Sequence, residues 1–291
     1  MTKPCLGPIA DLAPPRFQMP SGSTDTHSHV IGAPPDYPYV PERSYTAPEA
    51  PLSDYMAMHR ALGIERAVIV TPSVHGTDNR ITLEAIAGYG PNARGIAVVE
   101  ADIPDAGLEV LDDGGIRGVR LNVLFGGGVG LHAFEMLVPK VRDLGWHIQL
   151  LIDVSQDMVD LAPLIRSCGI PVVVDHMGHM PVEKGLDDTG FQMFLGLVRD
   201  GLVWAKLSGN YRISTQRPQF YDAIPVAQAL IEACPEHMVW GTDWPHVSMF
   251  EAMPNTTDLL NALDDYALDS TIKRKILVDN PAVLYGFPTV L

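Results

Sequence analysis

The sequence predicts a single-domain α/β protein, a (β/α)8 barrel of the TIM type. Three observations carry this. Eight short apolar, β-branched runs recur along the 291 residues. Stretches with helical periodicity separate them, and several stop at a glycine. The strand-like runs are apolar nearly throughout, as parallel strands covered on both faces should be. A hydrophobic content of 46% supplies the core they need. Successive βα units of this number close into a barrel. An open doubly wound sheet is the other arrangement, but no GxGxxG follows the first strand, and GGGVG at 126–130 is only part of that fingerprint.

The elements follow in order. Residues 1–24 are proline-rich and aperiodic, which predicts an extended or partly disordered arm ahead of a barrel spanning 25–291. TDTHSHV (24–30) is the first strand. A proline- and tyrosine-rich stretch, 32–51, is long for a structureless loop in a compact domain, which suggests a lid or part of the mouth. A helix over 52–63 places Tyr55, Met58, Ala61 and Leu62 on one face. Further strands are expected at 66–73, 94–101, 117–123, 147–153, 171–178, 202–209 and 238–243, with helices at 131–145 and 156–169 among those between them. A last helix, 270–286, is interrupted at Pro281.

Charge and cysteine content narrow the function. The net charge is −15 and the isoelectric point about 4.9, with mean hydropathy +0.09. Such a surface repels nucleic acid and anionic membranes. Cys5, Cys168 and Cys234 form no CxxC pair, which argues against a disulfide framework or zinc-thiolate site and fits a reducing compartment. No apolar run reaches the roughly 18 residues of a membrane helix, and the first residues lack a signal-peptide core. The expectation is a cytoplasmic protein, with a homo-oligomer left open.

In a barrel, residues at the carboxyl ends of the strands line the active site. There the sequence places His27 and His29 (strand 1), Ser73 (strand 2), Arg120 (strand 4), Gln149 (strand 5), Asp175 and His176 (strand 6), Lys206 and Ser208 (strand 7) and Asp243 (strand 8). Tyr211 and Arg212 follow strand 7. Two histidines at i and i+2 share a strand face, an arrangement suited to metal ligation or carbonyl polarisation. Arg120 in an apolar strand points to an anion contact. Lys206 fits an internal ion pair or a substrate contact. His75, His179 and His246 sit in loops near the mouth, where exposure and a role are both open.

The strings DTHSHVIG, GVRLNV, VVVDHMGH, KLSGNYRIS, VWGTDWPH and NPAVLYGF span residues 25 to 287. Together they resemble the amidohydrolase superfamily, and more narrowly its branch of 2-pyrone-4,6-dicarboxylate lactonase-like enzymes. The resemblance implies a hydrolase of the carboxylic-ester class that opens a small carboxylated lactone in aromatic-compound catabolism. It implies Asp243 as the base that activates water and His27, His29 and His176 as partners of the lactone carbonyl. Ser73, Arg120, Arg212 and Gln149 are then the expected substrate contacts. No cofactor is required on this view, and a single zinc on His27, His29, His176 and Asp243 is the alternative. Two-metal members carry a carboxylated lysine or glutamate on strand 4 and a histidine on strand 5, where this chain has Arg120 and Gln149. An arginine and a tyrosine of the lactonase pattern are also missing: Gly126 stands at the first position, and Leu151 and Ile152 occupy the region of the second. Other activities on the same scaffold remain open: a sugar-acid lactonase or isomerase, a zinc-dependent decarboxylase, or a non-catalytic small-molecule binder.

Overall fold

A computed structural model describes residues 2–289. Eight parallel strands form one sheet in sequential order. They are β1 (Thr24–Ser28), β2 (Arg66–Val70), β3 (Ala93–Ala97), β4 (Ile116–Asn122), β5 (His147–Leu151), β6 (Val172–Val174), β7 (Val203–Leu207) and β8 (Met238–Trp240). The circle closes between β8 and β1: Thr26 Oγ1 donates to the Trp240 carbonyl, and Asp243 N–H to the His27 carbonyl at 2.7 Å. Gly241 makes this approach possible, because a Cβ there would meet His27 N at 2.5 Å.

The helices are α1 (Leu52–Leu62), α2 (Arg80–Tyr89), α3 (Asp105–Asp113), α4 (Phe134–Asp143), α5 (Val154–Cys168), α6 (Thr189–Arg199), α7 (Asn210–Ile213), α8 (Ile224–Ala233), α9 (Thr256–Tyr266), α10 (Ser270–Arg274) and α11 (Asn280–Tyr285). The glycines after α1 and α5, Gly63 and Gly169, adopt the left-handed conformation expected of a helix stop. The interruption at Pro281 has a physical form: a π-helical turn, Lys275–Asp279, precedes α11, and Pro281 falls in its first turn, where no N–H is needed. No helix among the described residues is long and apolar enough to cross a membrane.

The N-terminal arm is not loose. Cys5 N–H donates to the Thr46 carbonyl and Leu6 N–H to that of Met249, while Thr257 Oγ1 donates to the Ala13 carbonyl. The arm thus ties the 32–51 loop to the segment that follows β8. That loop is itself tied down: Ile31 and Ala50 pair as an antiparallel bridge, and Gly126 N–H donates to Ser44 Oγ at 2.7 Å. It covers the ends of β2 and β4.

The strands end earlier than the apolar runs suggest. His29, His176 and Asp243 all lie just past the last residue of β1, β6 and β8, on the turns that leave the barrel. Asp243 has φ 61° and His176 φ 52°, left-handed values that side chains other than glycine rarely take. Such strain concentrates where function fixes a side chain's direction.

Candidate active site

Strand alternation brings the polar residues inward in layers. Asp25, two residues before His27 on the same face, lies one layer deeper. Its Oδ1 accepts from the backbone N–H groups of His27 and Thr242, at 3.1 and 2.9 Å. Its Oδ2 accepts from Thr242 Oγ1, Tyr55 OH and His59 Nε2. One buried carboxylate therefore locks the backbone under His27 to the backbone before Asp243.

Above it, three imidazoles meet the Asp243 carboxylate. The ring centroids of His27 and His29 are 5.2 Å apart, and those of His27 and His176 4.6 Å. His27 Nε2 lies 3.8 Å from Asp243 Oδ1, and His176 Nε2 lies 3.8 Å from Oδ2. All four residues are at most 3% exposed, which excludes bulk water from the group. Each outer ring nitrogen has a fixed role. His29 Nδ1 donates to the Val70 carbonyl at 2.8 Å, and His176 Nδ1 pairs with Ser208 Oγ at 2.9 Å. Burial holds all three imidazoles below their usual range, most strongly His29 and His176, so they are neutral at pH 7.

Asp243 is anchored through one oxygen. Tyr211 OH and Arg212 Nε both donate to Oδ2 at 2.6 Å, while buried Oδ1 has no hydrogen-bond partner among the described residues. Burial alone would raise this carboxyl. The Arg212 charge, with His176 and His27, overrules it and holds Asp243 well below the usual carboxylate range.

A second polar group backs the first. Asp175 Oδ2 accepts from Gln149 Nε2 at 2.9 Å and lies 3.3 Å from Arg120 Nε. Its Oδ1 lies 3.2 Å from His27 Nδ1 and 3.6 Å from Lys206 Nζ, neither contact having the alignment of a hydrogen bond. Lys206 donates to Gln149 Oε1 and to the Thr26 carbonyl. Burial lowers its ammonium to about 8, despite the nearby Asp175.

The anion contacts expected from the sequence fall into three cases. Arg120 is 5% exposed and, among the described residues, donates no hydrogen bond to the protein. Its Nε side faces Asp175 Oδ2 in an ion pair at 3.3 Å. Ser73 Oγ lies 3.3 Å from Tyr45 OH. Burial pushes the Tyr45 phenol up to about 12, and the charges of Arg120 and Arg212 pull against it, so this hydroxyl stands within the field of both guanidinium groups. Arg212 is turned mainly to the protein, through Asp243 and the Val247 carbonyl. Gln149, expected as a substrate contact, is wholly buried, and both ends of its amide are held by the protein, by Lys206 and Asp175. His246 is also wholly buried and pairs with Thr256 Oγ1, which removes the option of exposure.

Tyr45 and Tyr211 were not assigned roles from the sequence. Tyr211 adjoins Arg212, and that adjacency is a usable signal. Tyr45 lies in an aperiodic loop, where nothing marks which tyrosine turns inward.

The donor set fits one divalent ion. His27, His29 and Asp243 each offer an atom within 4.8 Å of the others. His27 Nε2 and Asp243 Oδ1, 3.8 Å apart, are buried without hydrogen-bond partners among the described residues, and His29 is backed by a carbonyl as metal-bound histidines are. Asp175 is a poorer ligand, since Gln149, Arg120 and Lys206 already surround it.

The amidohydrolase family model matches residues 24–287. The chain belongs to that family. Two curated relatives of this amidohydrolase are a 4-sulfomuconolactone hydrolase from Hydrogenophaga intermedia, 38% identical over 97% of this chain and 94% of the relative, and a 2-pyrone-4,6-dicarboxylate hydrolase from Comamonas testosteroni, 34% identical over 95% and 94%. A D-galactarolactone isomerase from Agrobacterium fabrum is 29% identical over 95% of each. A crystal structure from Agrobacterium tumefaciens, solved without ligand, superposes on the amidohydrolase with TM-score 0.87 at 26% identity, covering 97% of this chain and all of the other.

Proposed function

We propose that this amidohydrolase opens the ring ester of a small anionic lactone by attack of water. One observation carries the proposal: a carboxylate oxygen with no hydrogen-bond partner among the described residues, three neutral imidazoles and the Arg120 guanidinium, ion-paired to Asp175, lie buried together at the strand ends. The names of the two hydrolase relatives support the substrate class.

Arg120, with Ser73 and Tyr45 beside it, binds the anionic group and so orients the ring. Asp243 Oδ1 takes a proton from water as the oxygen attacks the carbonyl carbon. Tyr211 and Arg212 keep Oδ2 in place, so only Oδ1 points to the reaction. Imidazole N–H groups stabilise the carbonyl oxygen as it becomes tetrahedral. When the ring C–O bond breaks, the proton held on Asp243 passes to the leaving oxygen. A single zinc held by His27, His29 and Asp243, with His176 beside them, would add Lewis-acid polarisation of the carbonyl.

The test is a pH-indicator screen of sulfonated and carboxylated lactones in H2(18)O, with and without chelator. The expected result is proton release and one heavy oxygen in the new carboxylate. An isomeric lactone, loss of CO2, or binding without proton release would overturn the proposal. Activity that survives chelation assigns the polarisation to the imidazoles; activity that is lost and returns with zinc assigns it to the ion.

A further inference from the structure

Lys206 projects from β7 into the barrel interior, wholly buried, directly behind His27. An ammonium carries three protons and accepts none. Gln149 Oε1 takes one at 2.6 Å and the Thr26 carbonyl another at 2.8 Å. Two acceptors face the third proton, Asp175 Oδ1 at 3.6 Å and His27 Nδ1 at 3.3 Å, and only the second lies within hydrogen-bond distance. Gln149 cannot be turned the other way, because its Nε2 donates to Asp175 Oδ2.

We infer that Lys206 is a positioning residue that sets the tautomer of His27, keeping the lone pair on Nδ1 and the proton on Nε2. The rival state puts the proton on Nδ1, toward Asp175 Oδ1 at 3.2 Å. That contact is poorly aligned for a hydrogen bond, and a proton there would face the protons of Lys206. His29 is the opposite case. Its Nδ1 proton is committed to the Val70 carbonyl, so its Nε2 is bare while the ring is neutral. The three imidazoles are therefore not equivalent. His27 presents a donor, and His29 presents an acceptor.

Two consequences follow. In the proposed hydrolysis, His27 donates to the carbonyl oxygen, whereas His29 can only accept, from the attacking water. Toward zinc, ligation through His27 Nε2 requires the disfavoured tautomer, so Lys206 weakens the site's affinity for the ion. The first consequence rests on the lactone-hydrolase proposal; the tautomer itself does not.

The measurement is a long-range 1H–15N correlation on metal-free, 15N-labelled protein at neutral pH, with His27→Gln supplying the assignment. The expected spectrum shows His27 protonated at Nε2 and His29 at Nδ1. In Lys206→Met the His27 proton moves to Nδ1, and zinc affinity by calorimetry tightens about tenfold or more. A wild-type His27 protonated at Nδ1 overturns the inference, as does an unchanged tautomer in Lys206→Met. If Lys206→Met does not fold, the wild-type spectrum decides alone. Absence of lactone turnover with the expected tautomers would sink the proposed reaction and leave this inference standing.

Discussion

Asp243 combines three conditions in one side chain. It is wholly buried, its backbone is left-handed, and one of its two oxygens is tied to Tyr211 and Arg212. A carboxylate so placed stays ionised at neutral pH, and its free oxygen has a single direction of action. Asp243→Asn keeps an oxygen for Tyr211 and Arg212 but removes the base. We expect kcat to fall by about 10²–10⁴-fold while calorimetry still detects binding of an anionic lactone. Turnover within a few-fold of wild type would remove Asp243 from that role. Arg120 makes the complementary case. It is paired with the buried Asp175 carboxylate at 3.3 Å, so Arg120→Met should lower thermal stability, because breaking a buried ion pair leaves a charge uncompensated. It should raise KM for anionic lactones about 10- to 100-fold, the range for loss of a charge-assisted contact. An unchanged KM would exclude it from the anion site. The sequence announced both residues, because a charged side chain at the inner end of an apolar strand is costly without a purpose. It did not announce their partners. Gln149 looked equally available, and only the three-dimensional neighbours show its amide closed off by Lys206 and Asp175.

At the scale of elements, the 32–51 loop decides how the cavity is finished. Its Tyr45 is 2% exposed and meets Ser73 across the mouth. The loop rests on Gly126, where a Cβ would meet the Glu42 carbonyl oxygen at 2.1 Å. Glycine there is a requirement of the loop's seat, and the arginine expected at this position from the lactonase pattern has no room. Gly126→Ala should therefore lift the 40–45 segment, expose Tyr45 and raise KM several-fold with the barrel intact. Limited proteolysis within 36–46, compared with the wild type, checks the displacement; equal cleavage and equal KM would show that the loop is seated by other contacts. Strands and helices were legible from periodicity, since each is fixed by contacts that repeat every two or every 3.6 residues. The loop has no period, and its conformation depends on Ser44, Gly126 and Thr46 meeting the arm and the β4 turn. The strands end short of the apolar runs for a related reason: His176 and Asp243 follow the apolar residues closely in sequence, yet their positive φ angles already belong to turns.

The whole molecule carries an electrostatic consequence of its buried histidines. Burial lowers His147 to about 3 and His179 and His246 to about 4. In the unfolded chain these groups titrate near 6.5. As pH falls below that value the unfolded state takes up protons first, so native stability declines. Each group contributes about 1.4 kcal/mol per pH unit until its folded pKa is reached. The urea midpoint should therefore drop steadily from pH 7 to pH 5, at a nearly constant m-value. A midpoint that holds level or rises over that interval would show that these rings are not neutral in the native state.

The enclosure of the cavity has a last consequence, for timing. His27, His29, His176, Asp243, Ser73, Arg120 and Tyr45 are each at most 5% exposed. A cleft of about 380 Å³ beside Ile31, Tyr37 and Glu84 opens on the outer side of the first strand's exit and includes none of them in its walls. Little of the reacting group meets solvent while the loop, tied to the arm through Cys5 and Thr46, is seated. Where such a loop must rise for a ligand to enter and again for it to leave, the frequency of that movement sets a ceiling on turnover.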